Sequence, residues 1–184
     1  MKFKEYKKNV LADLYRYQGL SFIRAYLLIP GFKYTFYLRS YEYFSENFYL
    51  IAILVKLKLI LMQRHYGILI PWNTKIGKGF YIGHFGCIVV NGAVVIGDNV
   101  NISHGVTIGL ANRGKNKGTA IIGNKVYIGP GAKIVGHVKI GNNVAIGANA
   151  VVTHDIPDNA CVGGVTAKLI SMDGALDYVN RIVE

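Results

Sequence analysis

The chain has 184 residues, enough for one ordinary domain and a smaller appended region. Apolar residues make up 52% of it, which excludes a disordered chain and predicts a packed core. The net charge is +11, and residues 1–70 hold 11 Lys and Arg against 4 Asp and Glu, interleaved with aromatic and aliphatic residues. That mixture fits an anionic membrane surface or an acidic protein at least as well as nucleic acid, and we predict no nucleic-acid partner.

Residues 1–66 lack Gly-rich corners and predict an α-helical N-terminal region. The stretch Phe48–Met62 is strongly apolar, but its 15 residues are fewer than a spanning helix needs, so it predicts a buried or interfacial helix. No apolar leader follows the charged start, which predicts a cytoplasmic protein, with peripheral contact to the inner membrane face as an option. We expect the four helices at Lys4–Tyr17, Leu20–Leu28 (ended by Pro30-Gly31), Phe32–Phe44 and Leu50–His65.

An aliphatic residue recurs every six positions after Gly67, a period that matches neither a helix nor one long strand. The residue after the aliphatic one is often Gly, and we expect Gly there because the backbone adopts angles that other residues resist. The residue four positions after the aliphatic one is often Val or Ala. Short strands separated by corners, three to a coil, explain the period; evenly spaced strands of a sandwich are the alternative. The repeat positions are Ile70, Ile76, Ile82, Ile88, Ile96, Ile102, Ile108, Ile122, Ile128, Ile134, Ile140, Ile146 and Val152.

The period predicts a mainly β chain: a parallel β-helix over residues 67–170, followed by a C-terminal tail, 171–184, expected to be helical. The count is broken by two extra residues before Ile96 and by a longer gap before Ile122. Residues 110–119 in that gap are polar, basic and Gly-containing, and they predict a loop extruded from the coil.

His84 and His104 each lie two residues after a repeat position, 20 residues apart, which is one coil plus the two-residue insertion. They should therefore occupy the same corner of adjacent coils, about 4.8 Å apart at the backbone. Two close imidazoles disfavour double protonation, and a general base must be neutral. Solvated corner residues are the alternative reading. The spacing gives no third zinc ligand, so we predict no metal site, and Cys87 is expected to be a small buried hydrophobe rather than a nucleophile.

Several stretches together resemble the serine acetyltransferases and their relatives in capsule and colanic-acid biosynthesis. They are Ile82-Gly-His-Phe-Gly-Cys-Ile-Val-Val-Asn91, Val95-Ile-Gly-Asp-Asn-Val-Asn-Ile-Ser-His-Gly-Val-Thr-Ile-Gly109, Ile128-Gly-Pro-Gly-Ala-Lys133, Ile146-Gly-Ala-Asn-Ala-Val-Val152 and Gly164-Val-Thr-Ala-Lys168. The resemblance covers roughly residues 67–170. It implies a left-handed β-helix, a homotrimer or a hexamer, and acetyl-CoA as the acetyl donor. His84 falls on the family's catalytic base, and His104 falls in the acceptor site. The residues placed by the resemblance near CoA are Gly109, Arg113, Lys117, Pro130, Gly131, Ala148 and Lys168.

Four positions depart from the serine acetyltransferase pattern. Where those enzymes carry three carboxylates and a loop histidine, this chain carries Gly83, Leu69, Tyr17 and Thr119. A serine ammonium group needs a carboxylate partner, so these losses favour a neutral hydroxyl on a sugar, or on a lipid-linked sugar, in surface-polysaccharide synthesis. Serine is the alternative acceptor. An acyltransferase that depends on acyl carrier protein, and a non-catalytic scaffold, are two further alternatives.

Overall fold

A computed structural model describes all 184 residues, and it begins with four helices. They are α1 (Phe3–Tyr15), α2 (Phe22–Leu28), α3 (Pro30–Asn47) and α4 (Tyr49–Tyr66). Pro30 therefore opens α3 at its first turn, where its missing N–H costs nothing, instead of ending α2 at a loop as expected. Gly67, with φ of 62°, closes α4. None of the four helices is both long enough and apolar enough to cross a bilayer.

The rest of the chain forms a left-handed parallel β-helix, which confirms the predicted fold class. Its strands are β1 (Ile68–Leu69), β2 (Lys75–Ile76), β3 (Tyr81–Ile82), β4 (Ile88–Val90), β5 (Val95–Ile96), β6 (Asn101–Ile102), β7 (Thr107–Gly109), β8 (Ile121–Ile122), β9 (Tyr127–Ile128), β10 (Lys133–Val135), β11 (Lys139–Ile140), β12 (Ala145–Ile146), β13 (Val151–Val152), β14 (Cys161–Gly163) and β15 (Lys168–Ser171).

Successive strands belong to three different sheets, and each strand pairs with the strand one coil away. The sheets run β1-β4-β7-β10-β13, β2-β5-β8-β11 and β3-β6-β9-β12-β14-β15. All pairs are parallel except β14 with β15, where the chain turns back at the end of the last coil. The repeat isoleucines stack in register, as in Ile82 beside Ile102 beside Ile128. All of them except the partly buried Ile76 are almost fully buried, and they form one continuous core.

The glycines that follow the repeat isoleucines are needed for a different reason from the one expected. None of them has a positive φ. Instead, at Gly97, Gly123 and Gly141 the next coil approaches so closely that a side chain has no room: a Cβ on Gly97 would lie 2.6 Å from the carbonyl oxygen of Gly123. The repeat therefore records backbone packing between coils, and the positive-φ residues lie two positions further along, as at Gly79 and Asn99.

We expect Gly97→Ala to lower the free energy of unfolding by about 1–3 kcal/mol, because the added methyl group must push two coils apart. Gly109→Ala is the matched control, since a Cβ there would meet nothing closer than 3.9 Å and its φ is ordinary. Guanidinium unfolding at one fixed protein concentration measures both. Equal stability of the two variants would contradict the packing explanation.

The helical region covers the first coil, whose strands would otherwise leave unpaired backbone groups at the edges of all three sheets. The Tyr17 hydroxyl donates to the carbonyl of Ile82 (3.3 Å) and accepts from its N–H (3.2 Å). The Tyr34 hydroxyl does the same at Ile70, at 2.7 and 3.4 Å. On the third sheet, the Arg39 guanidinium donates to the carbonyl of Ile76 at 2.7 Å. Each edge thus receives one side chain from the helices.

Residues 172–184 form turns, not the helix expected for the tail, and they run back across the sheet that contains β3, β6 and β9. Tyr178 stacks on Tyr127 with ring centroids 4.5 Å apart. The side-chain amide of Asn99 donates to the Val183 carbonyl (2.9 Å), and its oxygen accepts from the Val183 N–H (2.8 Å). These specific contacts to the sheet take the place of helical hydrogen bonds.

Candidate active site

The two histidines lie at one corner of the β-helix, where β3 and β6 end. Ile82 and Ile102 are partners in the parallel ladder, so the residues two positions later emerge side by side. The rings of His84 and His104 have centroids 5.9 Å apart and planes at 81°. Both side chains are exposed, and neither forms a hydrogen bond within the chain. Their ring nitrogens are therefore available to a ligand.

Three of the residues expected near CoA continue the same column. The ladder runs from Ile102 through Ile128 to Ile146, so Pro130 and Ala148 follow His104 on successive coils. The Gly131 N–H donates to the His104 carbonyl at 2.9 Å. No long side chain interrupts the column between His104 and Ala148, which leaves an open track beside the histidines for an extended ligand.

The remaining expected CoA residues lie elsewhere on the protomer. Gly109 is at the far end of β7, and the loop that follows it folds back on itself through a bridge between Ala111 and Gly118. Arg113 and Lys117 are exposed on this loop. Lys168 begins β15, at the end of the β-helix. The loop and the histidines thus stand at different corners of one protomer, and strand β7 separates the two corners.

Two features beside the histidines were not identified from the sequence. The Lys133 ammonium donates to the Gly105 carbonyl (2.5 Å) and to the Thr107 hydroxyl (3.3 Å), and so holds the turn that follows His104. The six-residue register could have revealed this, because Lys133 is the ladder partner of Thr107. The other feature is Cys87, which is exposed with φ of 52°, so the expectation that it is buried is wrong. The turn carrying His84 is longer than its counterpart in the next coil, because Ile82 and Val90 pair with Ile102 and Ile108.

The positions that depart from the serine acetyltransferase pattern have other roles here. Leu69 is exposed on β1, and the Thr119 hydroxyl donates to the Ala93 carbonyl at 3.1 Å. Tyr17 is buried beneath the strand that carries His84, where it packs against Tyr81 with ring centroids 4.6 Å apart. Burial raises the pKa of the Tyr17 phenol well above its usual range. The hydroxyl is therefore a permanent donor to Ile82, and Tyr17 positions the strand that leads to His84.

We expect Tyr17→Phe to lower kcat about tenfold while the KM for acetyl-CoA changes little, because it unpairs the backbone of Ile82, two residues before the proposed base. Tyr34→Phe is the matched control: it removes an equivalent hydroxyl from Ile70, on another sheet. Steady-state kinetics on both variants, with unfolding curves, separates positioning from stability. An equal loss of kcat in the two variants would show that the effect is only structural.

The sequence and structure of this chain are similar to those of known transferases. The family model described as bacterial transferase hexapeptide, with six repeats, matches residues 119–154. A serine acetyltransferase from Helicobacter pylori is 43% identical over 107 residues, which are 58% of this chain and 63% of that protein. The chain thus spans less than two thirds of the length of this relative.

Two solved structures share the fold over most of the chain. The Neisseria gonorrhoeae serine acetyltransferase in complex with serine superposes with a TM-score of 0.73 at 27% identity, covering 92% of this chain and 70% of that one. The Brucella abortus enzyme in complex with coenzyme A has a TM-score of 0.73 at 27% identity, covering 90% and 66%.

These comparisons contradict the expected sugar acceptor, because the matched relatives and structures are serine acetyltransferases, the alternative named above. The expectation of a sugar acceptor rested on four substituted positions, and their loss removes only one arrangement of acceptor contacts. Neither polysaccharide synthesis nor a sugar ligand finds support in the comparisons. The repeat, the strand register and these comparisons together show a hexapeptide-repeat β-helix that is similar in sequence and fold to the serine acetyltransferases.

Proposed function

We propose that this protein is an O-acetyltransferase that transfers the acetyl group of acetyl-CoA to the hydroxyl of serine, with His84 as the general base. The observation that carries the proposal is the pair of exposed imidazoles, His84 and His104, beside the open track at Pro130 and Ala148. The similarity to serine acetyltransferases supplies the donor and the acceptor.

In the proposed reaction, His84 takes the proton from the serine hydroxyl as its oxygen attacks the thioester carbon. The new C–O bond forms, the C–S bond breaks, and His84 returns the proton to the departing thiolate of CoA. The proposed acetyl transfer requires no metal ion and no redox partner. His104, at 5.9 Å between centroids, is close enough to share a ligand with His84, and we assign it to orienting the acceptor. The acetyl group itself is activated by its thioester linkage.

The positions of the basic residues favour assembly as a homotrimer. Arg113 and Lys117 stand at a different corner from the histidines of their own protomer, and we assign them to CoA phosphates at a site completed by a neighbouring subunit. Lys168 and Gly109 are assigned to the same donor site. Pairing of trimers into hexamers and a cytoplasmic location both stay predictions. Light scattering measures the mass: a monomer active at all dilutions would contradict the shared site.

The acceptor is tested by release of the CoA thiol, with mass spectrometry of the product. We expect the purified full-length chain to release thiol in proportion to serine and to form O-acetylserine. Threonine and N-acetylserine are the control acceptors, because they keep a hydroxyl but change its surroundings or remove the ammonium charge. Thiol release no faster with serine than without an acceptor would overturn the serine assignment.

The variants Arg113→Ala and Lys117→Ala test the proposed donor site. Each should raise the KM for acetyl-CoA and leave the KM for serine unchanged.

A further inference from the structure

The outer face of α4 is apolar and uncovered. Leu50, Leu54, Leu57 and Leu61 are spaced four, three and four residues apart, which places them on one side of the helix. Their exposed fractions are 77%, 66%, 54% and 59%. The opposite side is already buried, through Leu59 and its neighbours, against α3 and the first coil. A helix that is apolar on every side is ordinarily buried on every side, so we expect this face to be covered by a binding partner.

The charges around this face are all positive. Lys58 falls at one margin, Arg64 lies at its C-terminal end, and α4 contains no acidic residue; Lys56 turns away, with its ammonium 4.1 Å from the centroid of the Trp72 ring. Lys33, from the start of α3, lies in the same shallow depression as Lys58 and Leu61. Long basic side chains at the margins of an apolar stripe can bury their stems while the ammonium groups reach outward to anionic groups.

A second copy of this chain is a poorer occupant. A leucine stripe at this spacing could pair two helices, but Lys58 lies beside it and Arg64 lies at its C-terminal end. Parallel pairing would bring these two cations close to those of the partner helix, with no acidic residue on α4 to neutralise them. An anionic lipid surface accepts both features at once: its headgroups meet the lysines, and its acyl chains meet the leucines.

We propose that the outer face of α4 docks the protein on an anionic lipid bilayer, with the helix lying in the plane of the surface. The apolar face spans Leu50 to Leu61, and Lys58 and Arg64 select negatively charged lipid. The C-terminal residue of α4, Tyr66, contacts Phe85 with ring centroids 5.6 Å apart, and Phe85 directly follows His84. Docking through α4 therefore holds the candidate active site at a fixed position relative to the membrane.

Vesicle flotation of the full-length protein tests this proposal without using its activity. We expect binding to vesicles of phosphatidylcholine mixed with phosphatidylglycerol, little binding to phosphatidylcholine alone, and release at high salt. The double variant Leu57→Gln/Leu61→Gln should bind at least about tenfold more weakly, because it removes two exposed leucines that the proposed docking buries in the bilayer. Lys58→Glu should weaken binding to anionic vesicles about fivefold or more.

Leu176→Gln is the matched control, because Leu176 is 70% exposed but lies on the C-terminal tail. It should float like the wild type, and the α4 variants should keep the wild-type acetyltransferase rate in solution. Two results would overturn the proposal. One is a wild-type protein that does not float with anionic vesicles. The other is a Leu57→Gln/Leu61→Gln variant that floats normally but has a smaller oligomeric mass than the wild type. That result would show that a second copy of the chain covers the outer face of α4.

Discussion

Replacing His84 with alanine is expected to lower kcat for acetyl transfer by about 10²–10⁴-fold, with the oligomer intact. The imidazole is the group placed to take the acceptor's proton, and no carboxylate hydrogen-bonds to it that could take over the role. The KM for acetyl-CoA should change little, because the proposed donor site lies along the column beyond His104. Thiol-release kinetics and light scattering on the same sample measure both quantities.

His154→Ala is the matched control, since this histidine is also exposed but is not one of the two stacked rings. It should retain the wild-type rate. Added imidazole should restore part of the rate to His84→Ala, because a small base can enter the space left by the side chain. If His84→Ala kept most of its kcat, the assignment of His84 as the general base would be wrong.

Replacing Asp13 with alanine is expected to cost about 3–5 kcal/mol of stability, because it removes one partner of a buried ion pair. Asp13 accepts from Nε and Nη2 of Arg39 at 2.9 and 3.2 Å and from the Phe80 N–H at 2.9 Å. Both side chains are almost fully buried. Burial raises the pKa of the Asp13 carboxyl above its usual value, although the Arg39 guanidinium and the Phe80 amide oppose that rise.

Guanidinium unfolding at constant protein concentration measures the effect. Asp173→Ala, which removes an exposed carboxylate from the tail, should change stability by less than about 0.5 kcal/mol. The double variant Asp13→Leu/Arg39→Met should recover part of the loss, because it removes the unpaired charge together with its partner. A single variant as stable as the wild type would show that the pair does not anchor the helices to the first coil.

The β-helix was predictable because its determinants are local and periodic. A buried isoleucine every six residues records the coil directly, and adding the two-residue insertion sufficed to bring His84 and His104 together. The reason for the glycines was not predictable in the same way. Whether Gly97 is required for its φ or for the approach of Gly123 depends on a neighbour in the next coil, which the sequence pattern does not reveal.

The contacts of the helical region were beyond sequence reasoning for a similar cause. Asp13, Arg39 and Tyr17 lie far along the chain from Phe80 and Ile82, and no period relates them. The four helices were predicted from the sequence, but Pro30 was assigned to the end of α2, whereas it begins α3. Proline is compatible with both a helix end and a first helical turn, so the sequence does not distinguish them. The acceptor was misjudged because missing carboxylates show only that one binding arrangement is absent.

A stack of parallel coils has no inherent length, since every terminal coil offers the next one a template of free amides and carbonyls. In this protein Tyr17, Tyr34 and Arg39 occupy that template at the first coil, and at the last coil the reversed strand β15 covers the sheet that ends in β14. These contacts oppose polymerisation of the solenoid into a fibril. Shortening the chain to residues 67–184 would reopen the first end, and head-to-tail growth is the expected consequence.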